Sequence, residues 1–421
     1  MKPGDILPLT IERPAAGGAM IARYDGRVVL VTGAIPGERV QARVVRVKKG
    51  LGHAETVAVD EPSPDRREPS GDPQCGGGIY GHIAYPRQLE IKSQVIADAF
   101  KRIGRLELPA PVVVAGSPED GYRMRARLHV RGSRFGFFRE GTHDLCDARV
   151  SRQLLPATLD TLERLMAAIR SAGVETVREI ELSENVDGSE RVVDLATAEP
   201  LDRRMAETLM ATDGLTPGPF VTDTLTIGDA TLKLRRHVLA FFQGNRFLLR
   251  DLVAHVVDRV PIGGSVADLY AGVGLFSVAA AVTRAASVMA VEGDPHAADD
   301  LHANAQAAGV SIYTVKGAVE GFTSGAFRVL GEMAGGRPIV ETVIVDPPRT
   351  GMSPKALEAV LGTNAPRVVY VSCDVATLAR DARKIVDAGY TIARADAFDM
   401  FPNTPHVETV VVFARSEDLR I

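Results

Sequence analysis

Residues 5–60 alternate apolar and polar positions in short runs, among them ILPLTIERP, GAMIARY, RVVLVTGAIPGERVQARVVRVKKG and HAETVAV, broken by Gly and Pro. Alternation with period two puts every second side chain on one face, so these runs predict short strands closing into a small OB-like barrel. The polar, Pro/Gly-rich stretch EPSPDRREPSGDPQCGGG then predicts a loop. RQLEIKSQVIADAFKRIG changes to helical spacing, with Leu89, Val95, Ile96, Ala99, Phe100 and Ile103 largely on one side. YRMRARLHVRGSRFGFFREGTHDLCDA reads as a hairpin-like segment, followed from about residue 155 by a helix and the strands REIELSENV and RVVDLAT. Beyond residue 236 apolar strands (VADLYA, SVMAVE, SIYTVKG, TVIVDP, VVYVSC, TIARADAF, VETVVVFAR) alternate with helices. That alternation, with strands apolar throughout, predicts an α/β, doubly wound, Rossmann-like parallel sheet covered on both faces. The expected domains are a barrel over 1–62, an α+β central domain over 63–235 and the α/β domain over 236–421.

Composition narrows the setting. A hydrophobic share of 45% and a charged share of 24% are those of an ordinary globular chain. No apolar run reaches the roughly 18 residues of a membrane span, and MKPGDILPLTIERP has no apolar signal core, so neither membrane nor export is expected. Cys75, Cys146 and Cys373 are too few for a disulfide framework, which fits a reducing cytoplasm. A net charge of −4 excludes a uniformly basic coat but leaves room for local basic surfaces. Arg39, Arg43, Arg46, Lys48 and Lys49 cluster on the later barrel strands, either as a solvated face or as a grip on an RNA backbone. Between residues 121 and 140 six arginines stand against one glutamate. Arg123, Arg125 and Arg127 alternate onto one strand face, which predicts contact with phosphates.

The chemistry gathers at predicted strand ends. In DLYAGVGLFS, Gly272 and Gly274 let the backbone approach a ligand at a helix N-terminus. Ser277 stands where a dinucleotide fingerprint needs its third glycine. Glu292 ends the second strand, where a carboxylate can accept both hydroxyls of a ribose. Together these suit S-adenosylmethionine, a nucleoside without phosphates, better than NAD. In IVDPPRTG, two prolines hold Asp346 at the sheet edge, and Arg349 follows as a bidentate donor. Cys373 ends the fifth strand and precedes a helix, whose dipole and free N–H groups favour a thiolate. Buried cysteines are often inert, and only the strand-end position sets Cys373 apart. Glu408 begins the last strand, after a loop closed by Pro402 and Pro405.

FFQGNRFLLRDLV, DLYAGVGLF, VIVDPPRTG, YVSCDVATLARD and DMFPNTPHVETVVVF, in that order, resemble successive motifs of the S-adenosylmethionine-dependent RNA 5-methyluridine methyltransferases. The N-terminal segment resembles the TRAM domain of the 23S rRNA members, and YRMRARL…FFREGTHDLCD their central RNA-binding domain. The resemblance implies a class I methyltransferase domain, on which segment 87–119 packs. It implies Cys373 as nucleophile and Glu408 as proton acceptor, with Gln243, Tyr270, Glu292 and Asp346 contacting S-adenosylmethionine. RNA is the implied partner, 23S rRNA ahead of tRNA, with no membrane or protein partner. Leu275 stands where some relatives carry a polar side chain. Some relatives also hold a [4Fe–4S] cluster on four cysteines. Here Cys75 remains, but Pro69, Gly78 and Ser151 take the other three positions, so no cluster and no other metal is expected.

Three rival readings meet specific residues. A methyltransferase acting on an exocyclic amine has no use for Cys373 as a nucleophile. A non-catalytic RNA-binding or RNA-folding protein has no chemical need for both Cys373 and Glu408. A nicotinamide oxidoreductase needs the glycine that Ser277 replaces.

Overall fold

The structure is a computed structural model that describes residues 1–69, 71–321 and 340–415. Strands β1 (Ile6–Pro14), β2 (Met20–Tyr24), β3 (Arg27–Thr32), β4 (Arg39–Lys48) and β5 (Leu51–Glu61) close into a barrel of order β1-β2-β3-β5-β4. The alternation in sequence becomes alternation in burial: Leu7, Leu9 and Ile11 of β1 point inward while Ile6, Pro8 and Thr10 face out. Tyr80, Ile83 and Ile91, from beyond the barrel, join its core. Arg66 in the linker binds the buried Glu38 through Nε at 2.6 Å, which ties the linker to the barrel.

The linker leads into the helix Tyr85–Ala99, extended by a π-helical turn over Phe100–Gly104. Its buried face differs from the one expected. Gln88, Ile91 and Lys92 are buried with Val95, Ile96 and Ala99, whereas Ile103 is exposed. Next comes β6 (Val114–Ala115). The central sheet contains β7 (Arg125–Arg131), β8 (Arg134–Phe138), β9 (Leu145–Asp147), β10 (Val177–Glu184) and β11 (Arg191–Thr197), in the order β11-β10-β7-β8-β9. Leu159, Leu162, Leu165 and Ile169 of the helix Pro156–Ser171 cover one face of it. A ribbon of β12 (Phe220–Ile227) and β13 (Ala230–His237) follows. Leu225, Ile227, Leu232 and Leu234 of this ribbon pack into the same core as the helix Leu249–Val257.

The large sheet is built on β14 (Ser265–Leu269), β15 (Ser287–Glu292), β16 (Ile312–Lys316), β17 (Thr342–Val345) and β18 (Arg367–Ser372), with β19 (Tyr390–Phe398) and β20 (Glu408–Arg415). Its order is β16-β15-β14-β17-β18-β20-β19-β6. The five strands β14 to β18 run parallel; β14, β15, β17 and β18 are buried from both sides, as their largely apolar sequences require, while the edge strand β16 is only partly covered. β20 runs antiparallel to both its neighbours, because a short loop rather than a crossover helix joins it to β19. β6 pairs with β19, so the segment that follows the barrel supplies the edge strand of this sheet. No helix among the described residues is long and apolar enough to cross a membrane.

Candidate active site

The antiparallel direction of β20 builds the site. A parallel strand presents its C-terminal end at the working edge of the sheet, and an antiparallel neighbour presents its N-terminal end there. Ser372 pairs with Thr409, so Cys373, just past β18, and Glu408, at the start of β20, meet at that edge. Asp346 and Arg349 arrive from the end of β17, next to β18.

Electrostatics binds these groups into one unit. Glu408 is buried, and its Oε1 has no hydrogen-bond partner among the described residues. Burial raises its carboxyl well above the usual range, the Asp346 charge adds to the rise, and Arg349 opposes it. Burial pushes Asp346 up to about 7, against a hydrogen bond donated by Gln243 Nε2 at 3.0 Å. Burial likewise pushes the Cys373 thiol up to about 12; Glu408 and Asp346 add to this, and contact with the Arg349 guanidinium works against it.

This corrects the expectation of a thiolate favoured by the helix. The cap of the helix Val375–Asp387 is Asp374, whose carboxylate takes the N–H groups of Ala376 at 3.1 Å and Thr377 at 2.8 Å. Those donors are spent before the thiol can use them, and the cap charge offsets the dipole.

The second half of the site lies at the end of β14. Tyr270, Gly272 and Gly274 all have positive φ, which bends the chain sharply into the helix Leu275–Arg284. At Gly274 φ is +91°, and a Cβ would stand 2.6 Å from the Leu301 Cδ1, so both backbone and space favour glycine there. Around Gly272 the space is open, leaving its backbone accessible to a ligand. Glu292 accepts the Gly272 N–H at 2.7 Å and the Asp294 N–H at 2.7 Å, fixing the turn.

One carboxylate here escaped the sequence reading. Asp268 is fully buried, accepts the Ser277 hydroxyl and has an Oδ1 with no partner among the described residues. Ser277, noted for what it is not, is thus the partner of Asp268. Burial pushes Asp268 up to about 7. A carboxyl raised in the folded state holds its proton more tightly than the unfolded chain does. Its stabilising effect is complete below the ordinary value of 3.8 and is lost as pH rises through about 7. Asp268→Asn is therefore expected to raise the melting temperature more near pH ~8, above the window, than near pH ~5, within it. A difference that does not vary with pH rules out the buried charge as its cause.

The arginines fare differently from one another. Arg123 precedes β7, and its guanidinium binds Gln153 at 2.7 Å and lies over the rings of Phe137 and Phe401 at 5.3 and 5.8 Å. Arg125 lies over Phe241 at 5.9 Å, and burial, with Arg236 nearby, lowers its pKa to about 10. Arg127 pairs with Glu181, and Glu179 stands 3.7 Å away. The expected strip of three free charges is thus cut short. Its neutralising glutamates come from β10, some fifty residues beyond Arg127 in the chain. On the barrel, Arg39 and Arg43 pair with Glu61 and Glu55 of β5, which favours the solvated-face reading for those two.

Among known proteins, a family described as tRNA (uracil-5-)-methyltransferase matches residues 215–416, and the TRAM domain matches residues 1–57. An uncharacterised RNA methyltransferase of Corynebacterium efficiens is 32% identical, over 98% of this chain and 95% of its own. The 23S rRNA (uracil(1939)-C(5))-methyltransferase of Halomonas elongata is also 32% identical, over 98% of this chain and 90% of its own. The chain belongs to the RNA uracil-C5 methyltransferase family. Its fold is that of the Pyrococcus abyssi tRNA (uracil-54, C5)-methyltransferase, solved with S-adenosyl-L-homocysteine. That match has a TM-score of 0.75 and 24% identity over 96% of this chain and 99% of the other.

The residues of this methyltransferase do not fit the iron–sulfur cluster of some relatives. Pro69, Cys75, Gly78 and Ser151 do line one cavity, but it measures about 20 Å³, room for a single water molecule. Three of the four lack a thiol. Cys75 is instead joined to Cys146 in a disulfide that links the Gly-rich loop to β9. This pairing corrects the expectation drawn from the cysteine count. It arises because Gly76 N–H donates to Phe138 at 3.3 Å, laying the loop along β8 and beside β9. Among the described residues no cluster of three or more His, Cys, Asp or Glu is arranged to hold a metal.

Proposed function

We propose that this methyltransferase uses S-adenosylmethionine to methylate C5 of a uridine in 23S rRNA, by covalent catalysis through Cys373. The meeting of Cys373 and Glu408 at one sheet edge carries the reading. C5 of uracil is a poor nucleophile, and thiolate addition at C6 turns the ring into an enolate that attacks through C5. S-adenosylmethionine supplies the methyl group as a sulfonium-activated electrophile. Glu408 then removes the C5 proton, the C5–C6 double bond re-forms, and the Cys373 thiolate leaves. A carboxyl raised by burial is a strong base once ionised, as this step requires. Arg349, already at the thiol, is suited to stabilising both the thiolate and the enolate charge. Gln243 and Asp346 on one side, with Tyr270, Gly272, Gly274 and Glu292 on the other, form the pocket for the methyl donor. Its open glycine turn and ribose-reaching carboxylate suit a nucleoside without phosphates.

RNA would enter across Arg123 and Arg125, whose guanidinium groups lie over Phe401 and Phe241 beside the site; Arg127 would contribute only by exchanging its glutamates for phosphate. The target base must leave its stack to reach Cys373, which a loop or bulge makes easier. The TRAM domain and the Halomonas relative support 23S rRNA. The fold of the Pyrococcus enzyme keeps tRNA as the second reading. An enzyme acting on ribosomal RNA would work in the cytoplasm. Mapping 5-methyluridine in RNA from a strain lacking this gene tests the target. Loss at one 23S position, restored by the gene, is expected. Loss in tRNA alone establishes the second reading, and loss in neither overturns both.

A further inference from the structure

The loop 399–407 joins β19 to β20 and both begins and ends at the catalytic edge, since Phe398 pairs with Glu408. Nothing among the described residues hydrogen-bonds Oε1 of Glu408, so where that oxygen points depends on where the loop sets the start of β20. The loop is held by a segment distant in sequence. Along the helix Tyr85–Ala99, Tyr85, Gln88 and Lys92 fall at spacings of three and four, which puts them on one face. Gln88 and Lys92 bond to the loop.

Lys92 is 1% exposed and binds the fully buried Asp399 at 2.5 Å and the Phe401 carbonyl at 3.3 Å. The Tyr85 hydroxyl accepts the Ser117 N–H at 2.7 Å and lies near enough to Asp399 to feel its charge. Gln88, itself fully buried, holds Asn403 twice. Its Nε2 donates to the Asn403 side-chain oxygen at 2.9 Å, and its Oε1 accepts the Asn403 N–H at 3.0 Å. Asn403 has φ +63°, a bend that the double clamp and a further bond from Arg67 at 2.8 Å hold in place.

A buried lysine–aspartate pair is a poor way to gain stability, because desolvating two charges offsets most of their attraction. Apolar side chains would fill the same space at less cost. What the ion pair adds is direction: it fixes the first residue of the loop and the third carbonyl at a single point.

We propose that Lys92, with Gln88, is a positioning residue that clamps the loop 399–407 so that Glu408 reaches the C5 proton. This rests on the reading of Glu408 as the base. Displacement of a catalytic group by about 1 Å can slow its step by about 100-fold. The step in question comes after methyl transfer, so the enzyme with a loosened clamp should stall as the covalent adduct.

The test follows single turnovers of the full-length enzyme with S-adenosylmethionine and an RNA carrying the target uridine, resolving covalent enzyme–RNA from released product on denaturing gels. Lys92→Met, Gln88→Leu and the apolar pair Lys92→Met with Asp399→Leu are compared with Glu408→Gln. Release slowed by about 10- to 100-fold, with adduct accumulating and KM for both substrates unchanged, is expected for the clamp variants. The apolar pair separates positioning from folding. If it restores the melting temperature yet leaves release slow, the clamp acts on catalysis. If release recovers with stability, Lys92 is merely structural and the proposal fails. Normal release in Glu408→Gln would overturn the base itself. Stalling in Glu408→Gln with normal release in every clamp variant would remove the clamp alone.

Discussion

Cys373→Ala is expected to abolish methyl transfer, lowering the rate by about 10⁴-fold or more while leaving the fold intact. The size of the effect follows from the chemistry of the substrate. Without addition at C6 there is no enolate, and C5 has too little electron density to attack a methyl group. Its neighbours at this edge cannot replace the thiol: Asp346 and Glu408 are carboxyls, far poorer nucleophiles toward C6 than a thiolate, and Arg349 is a cation. The side chain is only partly buried, so its removal leaves no closed core cavity and the melting temperature should change little. An RNA with 5-fluorouridine at the target traps the intermediate, because fluorine at C5 cannot leave as a proton does. Wild-type enzyme with S-adenosylmethionine should give an adduct stable to denaturation, and Cys373→Ala should give none. An adduct that survives in Cys373→Ala would assign the nucleophile to another residue.

The resting thiol bears on how this step begins. With its pKa near 12, the thiol is protonated at neutral pH, and the neighbouring carboxyls oppose its ionisation only when they are charged themselves. Burial raises the pKa of both carboxyls, so each opposes the thiolate less while it holds its proton. Burial therefore makes the carboxyl a stronger base once ionised while making the thiol itself harder to ionise, and the two effects act at different stages of the cycle. Arg349, a permanent cation, favours the thiolate throughout.

How much of this was legible in the chain depends on how local each feature is. The barrel and the five parallel strands are written in periodicity, because burial on one face or on two leaves a direct pattern in the residues. The strand ends that carry Asp346, Cys373 and Glu408 could be placed once those strands were. Their convergence could not be derived from the pattern, since it depends on β20 running antiparallel and a strand's apolar sequence is the same in either direction. The short loop between TIARADAF and VETVVVFAR was the available signal. Pairings between distant segments left no local trace. Glu181 neutralises Arg127, Cys146 bonds Cys75, and Lys92 reaches Asp399 over a separation of 307 residues. Lys92 and Gln88 did leave a hint. They interrupt the apolar stripe of their helix at buried positions, and a polar residue on a core face calls for a partner.

Glu408→Gln is expected to form the covalent adduct at close to the normal rate and then to stall, with multiple turnover reduced by at least about 100-fold. The amide keeps the shape of the side chain, so the nucleophile and the donor pocket are undisturbed, but it has no basic oxygen for the C5 proton. Removing a carboxylate also lifts part of the burden on Cys373, whose pKa Glu408 helps to raise, so addition at C6 should if anything become easier. The intermediate is then methylated at C5 and bonded at C6, with no path onward. Mass spectrometry of the trapped complex should find enzyme, RNA and one added methyl group. This distinguishes Glu408→Gln from Cys373→Ala, which forms no bond to RNA. It also distinguishes the base from an electrostatic bystander, whose loss would leave multiple turnover close to the wild-type rate. Raising the pH should not rescue Glu408→Gln, because a glutamine has no proton to lose. In the wild-type enzyme, by contrast, release should quicken as the pH rises through the elevated pKa of the buried carboxyl. A stalled adduct without methyl would place the block at transfer, before any C5 proton is removed, and Glu408 would then act on the enolate rather than as the base.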